Sequence, residues 1–216
     1  MHESDLAASA EDRSRFFWWL AEWFLSPPTR DRLAGLAADD ADAAPADALG
    51  LAWRALAHSM PDPESASLDE LGAEFTRLMS GVQEGLGPPP PFESVWREDR
   101  LVGESAVAVI DSYARAGFAD IAPEAGPQDH VAVELKFLAL LALREAEAWR
   151  GDDAAGAEER LAQQREFLQR HLAAWAPRWA DEVGRQARLP LFPALAGLLK
   201  AGLAKAAREL EDLVHA

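Results

Sequence analysis

The sequence predicts an all-α protein, and three observations carry that expectation. Nearly every stretch between Pro or Gly residues spaces its apolar side chains by three and four, and none alternates as a strand does. The 216 residues are 49% apolar with eight Trp, enough to bury a sizeable core. No connection is long enough to separate a pair of domains, so one helical-bundle domain is expected over residues 1–216, with 1–10 a flexible start.

The first helix is expected from about Glu11 to Leu25, because Ser26-Pro27-Pro28 stops it: a residue before proline is pushed out of the α region. Thr29 is placed to cap a short helix carrying Leu33 and Leu36, and Asp39 to Asp47 has loop composition. A helix with Leu49, Trp53 and Leu56 on one face ends at Pro61-Asp62-Pro63. Ser67 and Glu70 are spaced as a capping box, each answering the other's free backbone N–H. Behind them Leu68, Leu71, Phe75, Leu78 and Met79 keep helical spacing, and Gly81 can close the helix in a left-handed conformation. From Gly81 to Trp96 three Gly and four consecutive Pro exclude helix through most of the segment, which reads as an ordered loop.

A helix from about Glu104 to Ala116 stops at Gly117, and Asp120 to Gln128 is a second Pro- and Gly-rich connection. The longest helix is expected to open near Asp129 as N-cap and reach Trp149, burying Val131, Leu135, Leu138, Leu141 and Ala142. Gly151-Asp152-Asp153 breaks it. Leu161, Leu168, Leu172 and Trp175 then line one helix up to Pro177, and a last amphipathic helix runs from Ala194 to Leu213 behind Pro190 and Pro193.

Charge and composition narrow the function. Lys plus Arg number 21 against 37 Asp plus Glu, a formal charge of −16, which argues against nucleic acid as partner because binding a polyanion depends on cations displacing its counterions. The same charge would steer a cationic peptide toward the protein. The absence of Cys removes disulfides, thiolate metal sites and Cys nucleophiles, and fits a cytoplasmic location. The opening MHESDLAASAEDRSR lacks the basic start and apolar run of an export signal, and FFWWLAEWFL at 16–25 is half the length of a membrane span. No membrane insertion is expected.

A catalytic site is hard to assemble. The chain has no phosphate-cradling Gly loop, no Gly-x-Ser-x-Gly elbow and no His-Glu-x-x-His helix. Of five His, His2 and His215 lie near the ends and His58, His130 and His171 inside. His130 and Glu134, one helical turn apart, could share a metal with Asp129 or His171, although such polar pairs are common on helices and without Cys most ligands would have to be carboxylates. No metal, no cofactor and no catalytic residue is therefore expected. Asp129-His130 reads either as a helix cap beside a buried imidazole or as a hydrogen-bonding, chargeable pair at a binding site. The aromatic run Phe16, Phe17, Trp18, Trp19, Trp23 and Phe24 covers more than one helical face and reads mainly as core.

Three segments taken together resemble a known family. Phe75-Thr76-Arg77-Leu78-Met79-Ser80-Gly81 followed by Pro88-Pro89-Pro90-Pro91-Phe92-Glu93-Ser94-Val95-Trp96 is similar to the aromatic-x-x-Leu-Phe-x-Gly and Pro-Pro-aromatic-x-Ser-Val-Tyr signature of the TorD/DmsD redox-enzyme maturation chaperones. Pro127-Gln128-Asp129-His130 with Glu134-Leu135 resembles that family's second signature, and Phe167 to Trp175 its Phe-x-x-x-His-Leu-x-x-Trp helix. Met79 stands where the family often has Phe, and Phe92 where Trp or Tyr is common.

The resemblance covers nearly the whole chain and implies a helical bundle of the TorD/DmsD type. It implies a cytoplasmic, non-catalytic chaperone that binds the twin-arginine signal peptide and apo-form of a molybdopterin oxidoreductase catalytic subunit, assists cofactor insertion and delays export. A monomer or homodimer is expected. Phe75, Leu78, Met79, Phe92, Glu93, Ser94, Pro127, Asp129 and His130 are then the peptide-binding residues. The alternatives are a nitrate-reductase-type assembly chaperone for a cytoplasmic subunit, or a metal-dependent helical enzyme using His130 and Glu134.

Overall fold

The computed structural model describes residues 2–37, 44–81 and 87–214. Among them are ten α-helices and no strand, with one isolated antiparallel bridge between Phe92 and His130. The helices are α1 (Glu3–Leu25), α2 (Arg30–Ala37), α3 (Ala48–Ser59), α4 (Leu68–Met79), α5 (Glu93–Glu98), α6 (Glu104–Arg115), α7 (Val131–Arg150), α8 (Ala154–Arg170), α9 (Leu172–Gln186) and α10 (Leu191–Val214). Most of the loop expected over 39–47, and 82–86 of the Pro-rich segment, lie outside the described residues. No described helix is long and apolar enough to cross a membrane.

The helices gather in two compact units, each drawn from separate stretches of chain. The first comprises Met1–Leu25, Phe92–Trp175 and Ala206–Ala216. Within it α1 packs extensively along α7. Phe17, Leu20, Trp23 and Phe24 of α1 and Leu135, Leu138 and Leu141 of α7 are buried. Inside this apolar contact lies a polar knot: Arg13 of α1 donates to Glu145 of α7 at 2.5 Å and to Gln164 of α8 at 3.0 Å, while Gln164 also donates to Glu145 at 2.7 Å. Three helices are thereby joined through one carboxylate. Nearby, the rings of Tyr113, Phe137 and Phe167 meet at 4.5 to 5.9 Å, and Phe167 continues to His171 at 4.7 Å.

The second unit comprises Ser26–Pro91 and Ala176–Lys205. Its buried side chains include Leu33, Leu36, Leu56, Trp179, Val183, Leu195 and Leu199, together with Leu71, Phe75, Leu78 and Met79 of α4. Glu74 of α4 pairs with Arg77 at 2.7 Å and accepts the Arg188 N–H at 2.6 Å, and Arg77 donates to the Gln186 carbonyl at 2.7 Å. Burial pushes the Glu74 carboxyl up, yet Arg77 and the Arg188 N–H outweigh it and hold the group below the usual carboxylate range.

The helical periods predict most elements, and the differences have physical causes. α1 starts at Glu3 rather than near Glu11, with Ala7 and Ala10 buried, so the stretch expected to be a flexible start is helical. The helix expected to run through Leu172 to Pro177 breaks instead at His171, whose φ of −115° and ψ of −96° leave the α region. Pro177 lies inside α9. α10 begins at Leu191, three residues early, and Pro193 is accommodated in its first turn, where a backbone N–H would have no helical partner. α5, inside the segment expected to be loop, is an added helix. Gly81 takes the expected left-handed conformation at φ 54°, and a Cβ there would lie 2.5 Å from Pro90. Ser67 caps α4, accepting the Glu70 N–H at 3.3 Å.

Candidate functional site

Two segments far apart in the sequence are joined by the Phe92–His130 bridge in the first unit. The Glu93 N–H donates to the Asp129 carbonyl at 2.9 Å, and the Ser94 N–H donates to Asp129 Oδ2 at 2.9 Å. Asp129 therefore caps α5 across the chain, whereas its own helix was expected to be its target. His130 takes that place: it is the N-cap of α7, and its Nδ1 accepts the Ala132 N–H at 3.1 Å. An extended His130, with φ of −74° and ψ of 139°, precedes the first helical residue, which puts Asp129 one position too early to cap α7.

The cap fixes the chemistry of His130. Nδ1 is an acceptor, so a neutral ring carries its proton on Nε2. Burial lowers its pKa to about 4, and the ring is neutral near pH 7. The Phe92 ring packs edge-on at 5.1 Å. Phe92 and Pro127 are half-buried, while Glu93, Ser94, Asp129 and His130 are buried. Asp129 Oδ1 and the Ser94 hydroxyl oxygen are buried without a hydrogen-bond partner, leaving unused polar capacity on both sides of the bridge.

Beneath the bridge lies a set of acids. Glu93 is fully buried and receives Arg97 at 2.5 Å on one oxygen and His171 Nδ1 at 2.9 Å on the other. Glu134, also fully buried, accepts the Trp175 indole N–H at 3.4 Å. Burial drives its carboxyl well above the ordinary range, and the charges of Glu93 and Asp129 push the same way against the opposing Trp175 N–H. Burial likewise raises the Tyr113 phenol, whose O–H donates to the Gln128 carbonyl at 2.9 Å. The Gln128 side chain organises the 121–128 connection by accepting from the Ile121 N–H at 3.0 Å and donating to the Gly126 carbonyl at 3.1 Å.

Of the residues predicted for the site, Phe92, Glu93, Ser94, Pro127, Asp129 and His130 belong to the first unit, and all but Pro127 meet in the bridge or its hydrogen bonds. Phe75, Leu78 and Met79 belong to the second unit, on the buried face of α4. Among the described residues no three His, Asp or Glu side chains are arranged to hold a metal. His130 Nδ1 is already occupied by its cap, and Glu134 is held among acids. Sequence reasoning missed the Glu93–Arg97–His171 contacts and Tyr113. Glu93 and Arg97 are an i, i+4 charge pair, which was a readable signal; the reach of His171 to Glu93 over 78 positions was not.

Comparison with known proteins gives this geometry a family. The chaperone protein TorD of Vibrio cholerae serotype O1 is 26% identical, over 95% of this chain and 94% of its own. That of a Psychrobacter species is 25% identical over 94% of each. A redox enzyme maturation protein from Archaeoglobus fulgidus has a similar fold, with a TM-score of 0.51, 18% identity and coverage of 92% of this chain and 93% of its own. The family model described as nitrate reductase delta subunit matches residues 42–181, from the segment before α3 through the bridge and α7 to α9. The three sequence signatures anticipated this TorD-like kinship, and the chain belongs to the nitrate reductase delta subunit family.

Proposed function

We propose that this protein is a cytoplasmic maturation chaperone, without catalysis of its own, for the catalytic subunit of a molybdopterin oxidoreductase. It binds the twin-arginine signal peptide and the apo-subunit, supports cofactor insertion and delays export. The observation that carries this reading is near-full-length similarity to TorD chaperones. The bridge adds chemical support. Phe92 and Pro127 offer half-buried apolar contact near the buried, unpartnered Asp129 Oδ1, which suits a peptide with an apolar stretch and two arginines provided the bridge opens to admit one. Phe75, Leu78 and Met79 are assigned to the apolar stretch of the same peptide. Because Leu78 is fully buried, this assignment requires α4 to move away from its cover when peptide binds.

Purification from the native host, with identification of the co-purifying subunit, tests the reading. A molybdoenzyme precursor that retains its leader is expected. The family model favours a second reading, a nitrate-reductase-type assembly chaperone whose client stays in the cytoplasm. A captured reductase subunit with no leader would establish that reading in place of the first.

A further inference from the structure

The second unit contains a groove of about 390 Å³ that none of the predicted site residues lines. Its apolar wall is built by Met60, Pro61, Leu71, Leu189 and Leu191, and its volume lies within the roughly 300–1,000 Å³ of ligand sites. Leu71 connects it to the binding residues already assigned. It stands one turn before Phe75 and two before Leu78, so the three share a face of α4. All three are buried, and of them Leu71 lines the groove, at its floor.

The charge around the groove specifies its occupant. Glu70, exposed, lines it directly, and exposed Asp62, Glu64 and Asp69 lie on the adjoining turn and helix start. Against these acids stand two arginines: Arg30, which donates to the carbonyls of Pro63 and Glu64, and exposed Arg188, which precedes the lining Leu189, so the four acids leave the rim net negative. The last turn of α3, at His58 and Ser59, forms another wall; the Met60 N–H takes the Ala57 carbonyl, and a helix C-terminus carries partial negative charge. An apolar wall with a negative rim fits an apolar segment bearing a cation. We propose that this groove takes the start of the apolar stretch of a leader peptide, with a leader arginine placed over Glu70 and the end of α3. The proposal rests on the reading of the chain as a leader-binding chaperone and gives the peptide a first contact, from which it extends along α4 only as that helix leaves its cover.

Titration of a labelled synthetic twin-arginine leader into the full-length parent, Ser59→Trp and Glu70→Lys tests it. Ser59→Trp should fill the groove and weaken binding at least tenfold. Glu70→Lys should weaken it severalfold, with the difference from parent shrinking at high salt. A leader with a photoreactive phenylalanine in its apolar stretch should crosslink to the parent within 58–71 or 189–191. This readout stands even if Ser59→Trp does not fold. Parent-like binding by both folded variants, or crosslinks only elsewhere, would overturn the groove assignment while the chaperone reading survives. A parent that binds no leader would remove both. A dimer of the parent dispersed by Ser59→Trp, with leader binding unchanged, would assign the groove to a second copy and overturn the proposal.

Discussion

His130 can cap α7 only while its Nδ1 stays unprotonated, and this makes the residue a source of acid sensitivity. Its pKa falls from about 6.5 in an open chain to about 4 in the fold, so below pH 6.5 the unfolded state takes up a proton that the native state refuses. Stability should therefore drop between pH 6.5 and 4, by on the order of 2 kcal/mol at pH 5 from this residue. In His130→Asn, which can still cap, the fall between pH 7 and 5 in urea-denaturation midpoint should be shallower than in the parent. Glu134 has the opposite sign. Its raised carboxyl pKa means the native state holds a proton that the unfolded state loses above about pH 4.5, so its contribution declines as pH rises. Glu134→Gln, which keeps the shape and needs no proton, should equal the parent near pH 5 and exceed it in denaturation midpoint at pH 8.

At the scale of elements, α5 has its cap on another segment. Phe92, its N-cap residue, makes no side-chain bond, and Asp129 Oδ2 supplies one through the Ser94 N–H. Asp129→Ala should cost about 1–2 kcal/mol, as loss of a cap does, while Asp129→Asn, which retains an oxygen, should cost less by thermal denaturation. The Arg13 knot is more demanding. Arg13→Met leaves Glu145 buried without its cation and should cost about 3–5 kcal/mol in chemical denaturation. These two features show where legibility ended. The spacing of Leu71, Phe75 and Leu78 declares α4 because period and Ser67 cap are local. α5 is six residues long, follows four prolines and is capped from a distance, so no local signal announces it. The Asp129-His130 pair was legible as a helix start but not in its division of labour, which depends on Phe92 and Glu93 bonding alongside. The break at His171 was hidden similarly, since its ring is held by Glu93 from outside the helix.

For the whole molecule, a net charge of −16 should hasten encounter with a basic leader. The association rate for a twin-arginine peptide, measured by stopped-flow fluorescence, should fall severalfold or more between 50 and 300 mM salt, and dissociation should change less. Leu78→Ala empties a fully buried position and should cost about 2–5 kcal/mol of stability by chemical denaturation, and any further loss of peptide affinity in the folded variant should depend little on salt. The pairing of α1 with α7 carries a further consequence, for how the chain is made. α1 emerges from the ribosome well before α7, carrying Phe17, Leu20, Trp23 and Phe24, and α7 is complete only at Arg150. At about 5–20 residues per second, the aromatic face of α1 waits on the order of ten seconds for its cover. During translation, a protein assigned to shelter another's unfinished subunit is itself a nascent chain in need of shelter.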